Sequence, residues 1–309
     1  MKVAVLGAGA LGCAIGGVLA ESGAMVYLVN RNAEHVKAIQ SNGLILRDGG
    51  IDRVVRATAV QTAAEVNDTV DLVIVLVKSF HTRAAIESAQ NLIGAQTVVV
   101  SLQNGLGHEE VLAEVVGRSH VMGGKTYVGG TMLAPGHVLV GTRGKETILG
   151  ELDGTASARV QRIADAFNHA GLDTTVSQRI MGTMWDKLLI NVATGALSTL
   201  TRQTYGVMYQ IPEIEACAVA AVSEAMAVAK ACGVVLNSTD PREAWVKASA
   251  GLPFEFKTSM LQSFEKGSVT EIDYINGAVV RWGKKCGVPT PVNQTLVSCI
   301  KGIEFGLRA

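Results

Sequence analysis

The chain has 309 residues, 48% hydrophobic and 17% charged, with 27 Lys+Arg against 27 Asp+Glu. That length allows two domains with sizeable cores, and the balanced charge, with no basic run, gives no electrostatic support for nucleic-acid or anionic-membrane binding. Apolar runs break before reaching membrane-spanning length, and the N-terminus itself reads as a core strand, which leaves no place for a signal peptide.

Met1-Lys2-Val3-Ala4-Val5-Leu6 reads as a short buried strand. It runs into Gly7-Ala8-Gly9-Ala10-Leu11-Gly12 and then an apolar, small-residue helix to about Glu21. This is the G-x-G-x-x-G turn of a dinucleotide-binding βαβ unit. Gly7 allows the tight turn, Gly9 lets a pyrophosphate approach the backbone, and Gly12 lets helix pack on strand. The helix N-terminus offers N–H groups and a positive dipole end to phosphate. Such glycines also occur in turns without a ligand, but the position between strand and helix favours one here. The second strand, Met25–Val29, ends at Asn30-Arg31 rather than at the acid that grips a ribose 2′-hydroxyl. Asn30 does not repel a 2′-phosphate and Arg31 is suited to bind one, so the expected cofactor is NADP.

Further strands are expected at Leu72–Val77, Thr97–Leu102 and His120–Met122, with helices at Glu34–Ser41, Thr82–Leu92 and His108–Val116. This alternation predicts an α/β fold with a Rossmann-type, doubly wound parallel sheet. Thr126–Val140 predicts an antiparallel hairpin near the sheet edge, with Val138–Val140 and Thr147–Leu149 as later strands. Arg159–Ala170 reads as the last helix of this half and Leu172–Val176 as its last strand. After Gln178 helix formers dominate, so 1–178 forms the dinucleotide-binding domain and 179–309 an all-helical substrate domain. Ile214–Cys232 closes at Gly233, and Thr270–Cys286 repeats that grammar before Gly287. The cleft between such domains is the expected ligand site.

The five cysteines (Cys13, Cys217, Cys232, Cys286, Cys299) are scattered. They read as small buried hydrophobes, unpaired in a reducing cytoplasm. The six histidines show no ligand spacing and none pairs with a cysteine, so no metal site is expected. No G-x-S-x-G elbow is present.

Two more strand ends carry polar groups towards the ligand edge: Lys78, although a lysine ending a strand is often just solvated, and Gln103-Asn104-Gly105, although Asn104-Gly105 alone reads as an ordinary turn. In Trp185-Asp186-Lys187-Leu188-Leu189-Ile190-Asn191, Lys187 and Asn191 share a helix face beside apolar neighbours. Reduction of a ketone builds negative charge on oxygen, and a partly desolvated lysine can supply both countercharge and proton. A surface lysine covering apolar residues with its stem would look the same. Ser259 could hydrogen-bond a carboxylate, or be a plain helix serine. Glu271 could accept from a hydroxyl, but Ser268-Val269-Thr270-Glu271 also reads as a capping box serving only a helix start.

Together these motifs resemble the ketopantoate reductase family (2-dehydropantoate 2-reductases) over essentially the whole chain. The likeness rests on Gly7–Gly12, Lys78, Gln103-Asn104-Gly105, the Trp185–Asn191 run, Ser259-Met260-Leu261-Gln262 and Thr270–Gly277. It implies NADPH-dependent reduction of 2-dehydropantoate to (R)-pantoate, in pantothenate and coenzyme A synthesis. By that resemblance Lys187 is the proton donor and Asn191 and Ser259 hold the substrate. Lys78, Asn104 and Glu271 then belong at the cofactor–substrate junction; the enzyme is expected in the cytoplasm, with a small-molecule 2-oxo acid and a second copy of itself as partners and with no nucleic acid or membrane. The chain departs from the family pattern at Gly195 and Tyr205, where asparagines are expected. Loss of the amide at Gly195 should leave space, so a bulkier or less polar 2-oxo acid would fit. A β-hydroxyacid dehydrogenase is the nearest enzymatic alternative, although that class follows its lysine with paired asparagines and here Asn191 precedes Val192. An NADPH-sensing regulator without turnover is the alternative of another class.

Overall fold

The computed structural model describes residues 1–307. By its contacts the chain divides into two units: Met1–Gln103 with His108–Ile180, and Asn104–Gly107 with the chain from Met181 on. The strands are β1 (Lys2–Leu6), β2 (Met25–Val29), β3 (Leu44–Asp48), β4 (Ile51–Val55), β5 (Thr58–Val60), β6 (Val70–Val75), β7 (Ile93–Ser101), β8 (Val121–Thr126), β9 (Gly129–Ala134), β10 (His137–Gly141), β11 (Thr147–Gly150) and β12 (Thr174–Val176). The first unit adds helices α1 (Ala10–Glu21), α2 (Ala33–Asn42), α3 (Thr82–Glu87), α4 (His108–Val116) and α5 (Ala158–His169).

Eight strands form the large sheet in the order β12-β11-β8-β7-β6-β1-β2-β5. From β8 to β5 all neighbours are parallel, and only the β8–β11 pair is antiparallel. The side-chain period of two explains why both faces are apolar. Val3 and Val5 of β1, with Leu72 and Ile74 of β6, enter one core, while Ala4, Leu6, Val73 and Val75 enter the other. The doubly wound α/β reading of this half is therefore what the structure has.

The hairpin is found at β9–β10 but not at the edge of this sheet. With β3 and β4 it forms a second sheet in the order β4-β3-β10-β9, in which β10 runs parallel to β3. The Thr147 strand pairs instead with β8 in the large sheet. β3, β4 and β5 were not anticipated, although Asp48-Gly49-Gly50 between two alternating runs is a hairpin signal. The helix expected over Thr82–Leu92 stops at Glu87 and resumes as a single 3₁₀ turn at Gln90–Leu92.

The second unit is built from α6 (Ile180–Thr201, beginning in the first unit), α7 (Tyr205–Met208), α8 (Pro212–Ala231), α9 (Pro241–Ser249), α10 (Ser259–Glu265), α11 (Asn276–Cys286) and α12 (Pro291–Gly306). Proline in the first turn opens α8, α9 and α12, where no backbone N–H is missed. Buried Ala218, Ala221, Ala225 and Ala229 give α8 a smooth face for close packing.

Two expectations are corrected here. Cys232 and Cys286 form a disulfide with Cα atoms 5.7 Å apart, so they are not thiols. Each ends a helix and is followed by a glycine at positive φ, Gly233 and Gly287, and the packing of α8 on α11 brings the two ends together. A separation of 54 residues carries no local signal of this. Of the remaining cysteines Cys13 is buried, Cys217 half-buried and Cys299 exposed. The helix expected from Thr270 begins only at Asn276, after a 3₁₀ turn at Ile272–Tyr274. No helix among the described residues is long and apolar enough to cross a membrane, and those residues contain no cluster suited to a metal ion.

Candidate active site

In the first unit the turn from β1 into α1 divides its work among three glycines. Gly7 has φ +92°, and a Cβ there would lie 2.5 Å from the Val77 nitrogen. A Cβ on Gly12 would lie 2.6 Å from the Gly7 oxygen. These two are required by the protein's own backbone. Gly9 is different: a Cβ there would meet nothing within 4 Å. It begins α1 with no side-chain cap, and no acid stands in the first turn. An open backbone, uncapped N–H groups and a positive dipole end fit a pyrophosphate.

Asn30, at the end of β2, looks into this turn: its amide donates to the Ala8 carbonyl at 2.7 Å, and its oxygen accepts from the Asn32 N–H at 2.9 Å. Arg31 beside it is exposed. Burial, and then the charge of Arg31, hold the His81 imidazole below its ordinary pKa, which brings Arg31 close to the segment that follows β6. Lys78 opens that segment next to Val77, the residue against Gly7. Gln103 fixes it from the end of β7, donating to the Val77 carbonyl at 2.7 Å and to the Thr82 hydroxyl at 2.9 Å.

Asn104 lies at the ligand end of β7 by sequence, yet Asn104–Gly107 packs with the second unit. The Leu106 N–H donates to the Tyr274 carbonyl at 2.9 Å. Gly105 has φ +94°, and a Cβ there would collide with that same carbonyl. The structure thus brings the Asn104 loop onto the segment that carries Glu271. That segment is clamped from the other side by Glu304, which is 4% exposed and accepts from the Thr270 N–H at 2.7 Å and its hydroxyl at 2.6 Å. The expected capping box serves no helix, because none starts after Ser268: Thr270 is turned to Glu304, and Glu271 precedes a 3₁₀ turn without capping it by its side chain.

Along α6, residues 182–199 are buried except for Asp186, Lys187, Ile190 and Asn191. Asp186 accepts from the Asn237 and Ser238 N–H groups at 3.1 and 3.2 Å, and Trp185 meets Trp282 edge-on at 6.2 Å. These contacts fix the rotation of the helix and leave Lys187, Ile190 and Asn191 as its accessible stripe. Ser259 begins α10, exposed, behind a Thr258 cap whose hydroxyl accepts from the Leu261 N–H at 3.1 Å.

The space expected at Gly195 is filled. A Cβ on Gly195 would lie 3.3 Å from the Met260 terminal methyl, so the residue after Ser259 occupies the helix face one turn beyond Asn191. Tyr205 is buried, gives its hydroxyl to Thr194 at 3.2 Å and stacks on Tyr209 at 5.8 Å. His35 Nε2 and Cys13 Sγ, which have no ligand spacing along the chain, meet at 3.3 Å across 22 residues. Sequence spacing gave no signal for this contact, for the Gln103 bonds or for the Glu304 clamp, because each joins separate elements.

Fold and site define a two-unit chain of oxidoreductase type, with a dinucleotide turn in an α/β unit and a lysine-bearing helix in an α-helical one. Two models of the ketopantoate reductase PanE/ApbA family match it: the main model over residues 3–154 and the C-terminal model over 179–304. A 2-dehydropantoate 2-reductase of Halobacterium salinarum is 34% identical, over 97% of this chain and 98% of its own. A PanE/ApbA family ketopantoate reductase from Ralstonia eutropha superposes with a TM-score of 0.90 at 33% identity, covering 100% of both chains. A D-mandelate dehydrogenase solved with NADH and anilino(oxo)acetate reaches the same TM-score of 0.90 at 28% identity, again covering 100% of both. The chain belongs to the ketopantoate reductase family.

Proposed function

We propose that this chain is an NADPH-dependent 2-dehydropantoate 2-reductase, forming (R)-pantoate. The observation that carries the reading is the Lys187–Asn191 stripe, half-buried on a helix whose middle is mostly buried, in a chain 34% identical to a protein of that name. The nicotinamide, when bound, supplies the hydride. Lys187 holds the ketone oxygen of the substrate and gives it a proton as the alkoxide develops. Asn191, one turn on, orients that oxygen or the ammonium through its amide. Ser259 binds the substrate carboxylate by its hydroxyl, and Glu271 accepts from a substrate or ribose hydroxyl. Gly7, Ala8, Gly9, Ala10, Leu11 and Gly12 receive the pyrophosphate on their backbone, Arg31 the 2′-phosphate, and Lys78 and Asn104 the remainder of the cofactor near the reacting carbon. The boundary at 178/179, a cytoplasmic setting and assembly as a homodimer belong to the same proposal.

NADPH oxidation with 2-dehydropantoate, beside Lys187→Ala and a panel of 2-oxo acids, tests it. Turnover that favours 2-dehydropantoate and collapses in the variant supports the reading; NADPH binding without any reduction would replace it with a cofactor-sensing protein. One observation favours a second reading. The Met260 methyl at Gly195 and the buried Tyr205 set apolar groups where an amide was expected. The D-mandelate dehydrogenase relative, solved with an anilino(oxo)acetate, suits an aryl 2-oxo acid in such surroundings. Preference for an aryl 2-oxo acid over 2-dehydropantoate in the same panel would establish it.

A further inference from the structure

We propose that His35 is a positioning residue for cofactor binding, fixing the glycine turn by holding the Ala8 carbonyl and tying it to the second sheet. The inference rests on the dinucleotide reading of that turn. The Ala8 oxygen sits at a convergence of donors: Asn30 Nδ2 at 2.7 Å, His35 Nε2 at 3.1 Å and Cys13 Sγ at 3.2 Å. One carbonyl held by donors from β2, α2 and α1 cannot rotate, so the Ala8–Gly9 peptide has a single orientation.

The ring itself is fixed by elementary bookkeeping. His35 Nδ1 lies 3.0 Å from the Gly136 backbone nitrogen, which can only donate. Nδ1 therefore accepts, and the proton of the neutral ring is on Nε2, directed at Ala8. The side chain is 3% exposed, and burial holds its pKa below the ordinary histidine value, in keeping with a neutral ring. Cys13 stays a thiol for the same reason, its pKa pushed up to about 12 by burial, and so remains a donor.

Gly136 is the turn of the β9–β10 hairpin, at φ +72°. The same hairpin touches the turn a second time, because a Cβ on Gly130 of β9 would lie 2.6 Å from the Ala10 oxygen. The small sheet thus braces the first turn of α1 directly at Ala10 and indirectly, through His35, at Ala8. A turn held in its binding geometry before the ligand arrives loses little further freedom on binding. His35 touches no part of the expected pyrophosphate path and acts through Ala8.

The two ring nitrogens can be separated by substitution. His35→Gln places an amide donor near the Nε2 position and keeps the bond to Ala8. His35→Asn places an acceptor near Nδ1 and keeps the bond to Gly136. His35→Leu keeps neither. NADPH dissociation constants from fluorescence titration, with Tm of the cofactor-free protein, read the two roles apart. His35→Leu and His35→Asn are expected to weaken NADPH about tenfold, and His35→Gln about threefold or less, while both amide variants lose similar Tm. At saturating NADPH kcat should stay within about twofold of wild type, the loss appearing in KM for NADPH. Nitrogen-15 spectra of labelled histidine should show the Nε2–H tautomer for the resonance missing in His35→Asn. Should His35→Leu fail to fold, the Gln and Asn pair carries the test. NADPH affinity that follows Tm alone, equal affinity in the Gln and Asn variants, or an Nδ1–H tautomer would overturn the proposal. A wild-type chain that binds no NADPH overturns the dinucleotide reading instead, and this inference with it.

Discussion

In the glycine turn of the first unit, the groups offered to a ligand are backbone N–H groups, and local geometry prepares them: positive φ at Gly7, close approach at Gly12 and openness at Gly9. On α6 of the second unit they are side chains, and nothing within the helix says which of its faces stays accessible. That choice is made by Asp186 on the 237–238 loop, Trp185 against Trp282 and Met260 against Gly195. The comparison teaches that backbone sites are written in a few consecutive residues, whereas side-chain sites depend on what the rest of a unit covers.

The largest expected effect tests the side-chain half. Lys187→Ala should lower kcat by about 10²–10⁴-fold, the usual worth of a positioned proton donor, with NADPH affinity unchanged. Stopped-flow reduction and a separate cofactor titration check both parts, and unchanged kcat would remove Lys187 from the chemistry.

The covalent tie comes next. Reducing the Cys232–Cys286 disulfide, or replacing both residues by serine, frees a 54-residue loop. Loop-closure entropy sets the loss at up to about 4 kcal/mol, read as a lower Tm or denaturant midpoint. NADPH affinity should be unaffected if the dinucleotide turn is held by the first unit alone; a parallel loss would blur the distinction between the units.

Glycine substitutions sharpen it. Gly7→Ala should destabilise the cofactor-free protein, since its φ and its contact with Val77 oppose a side chain. Gly9→Ala should leave Tm unchanged, because a Cβ there meets nothing, yet weaken NADPH about tenfold by blocking the phosphate. If Gly9→Ala binds NADPH normally, the pyrophosphate does not lie at Gly9.

The smallest effect is a pH dependence. Burial, set against a hydrogen bond to its own backbone, raises the Glu109 carboxyl in the first turn of α4 to about 8. Its folded pKa exceeds the unfolded one, so its protonated form favours the fold at low pH. That contribution declines as pH rises above the ordinary carboxylate range and is lost through about 8. Glu109→Gln should flatten the fall in Tm between the ordinary carboxylate range and about pH 8; an unaltered slope would show that Glu109 does not titrate there.

Much of the first unit was legible. β1, β2 and the body of α2, α4 and α5 follow from period-two and period-3.6 patterns, and Gly7–Gly12 from three glycines at fixed spacing. The small sheet was not, because its strands pair across long separations: Ile45 of β3 with His137 of β10, for example. In the second unit the helical character and the span of α8 were legible, while the start of α11 and the contacts between helices were not. Ser268 and Glu271 fit a capping box as text, yet no helix starts after Ser268, and a buried carboxylate 34 residues away takes the Thr270 donors between them.

The sequence by itself determined the alternation of the first unit and the helical character of the second, the glycine turn and the candidate residues Lys187 and Asn191 on one helix face, since these depend on neighbours within a turn or a strand. Only the tertiary structure decided that Met260 fills the Gly195 side, that Cys232 meets Cys286, and that His35 holds Ala8. Those are contacts between residues distant in the chain, and a hydrogen bond, a filled cavity or a disulfide depends on atoms meeting in space, which spacing along the chain does not encode.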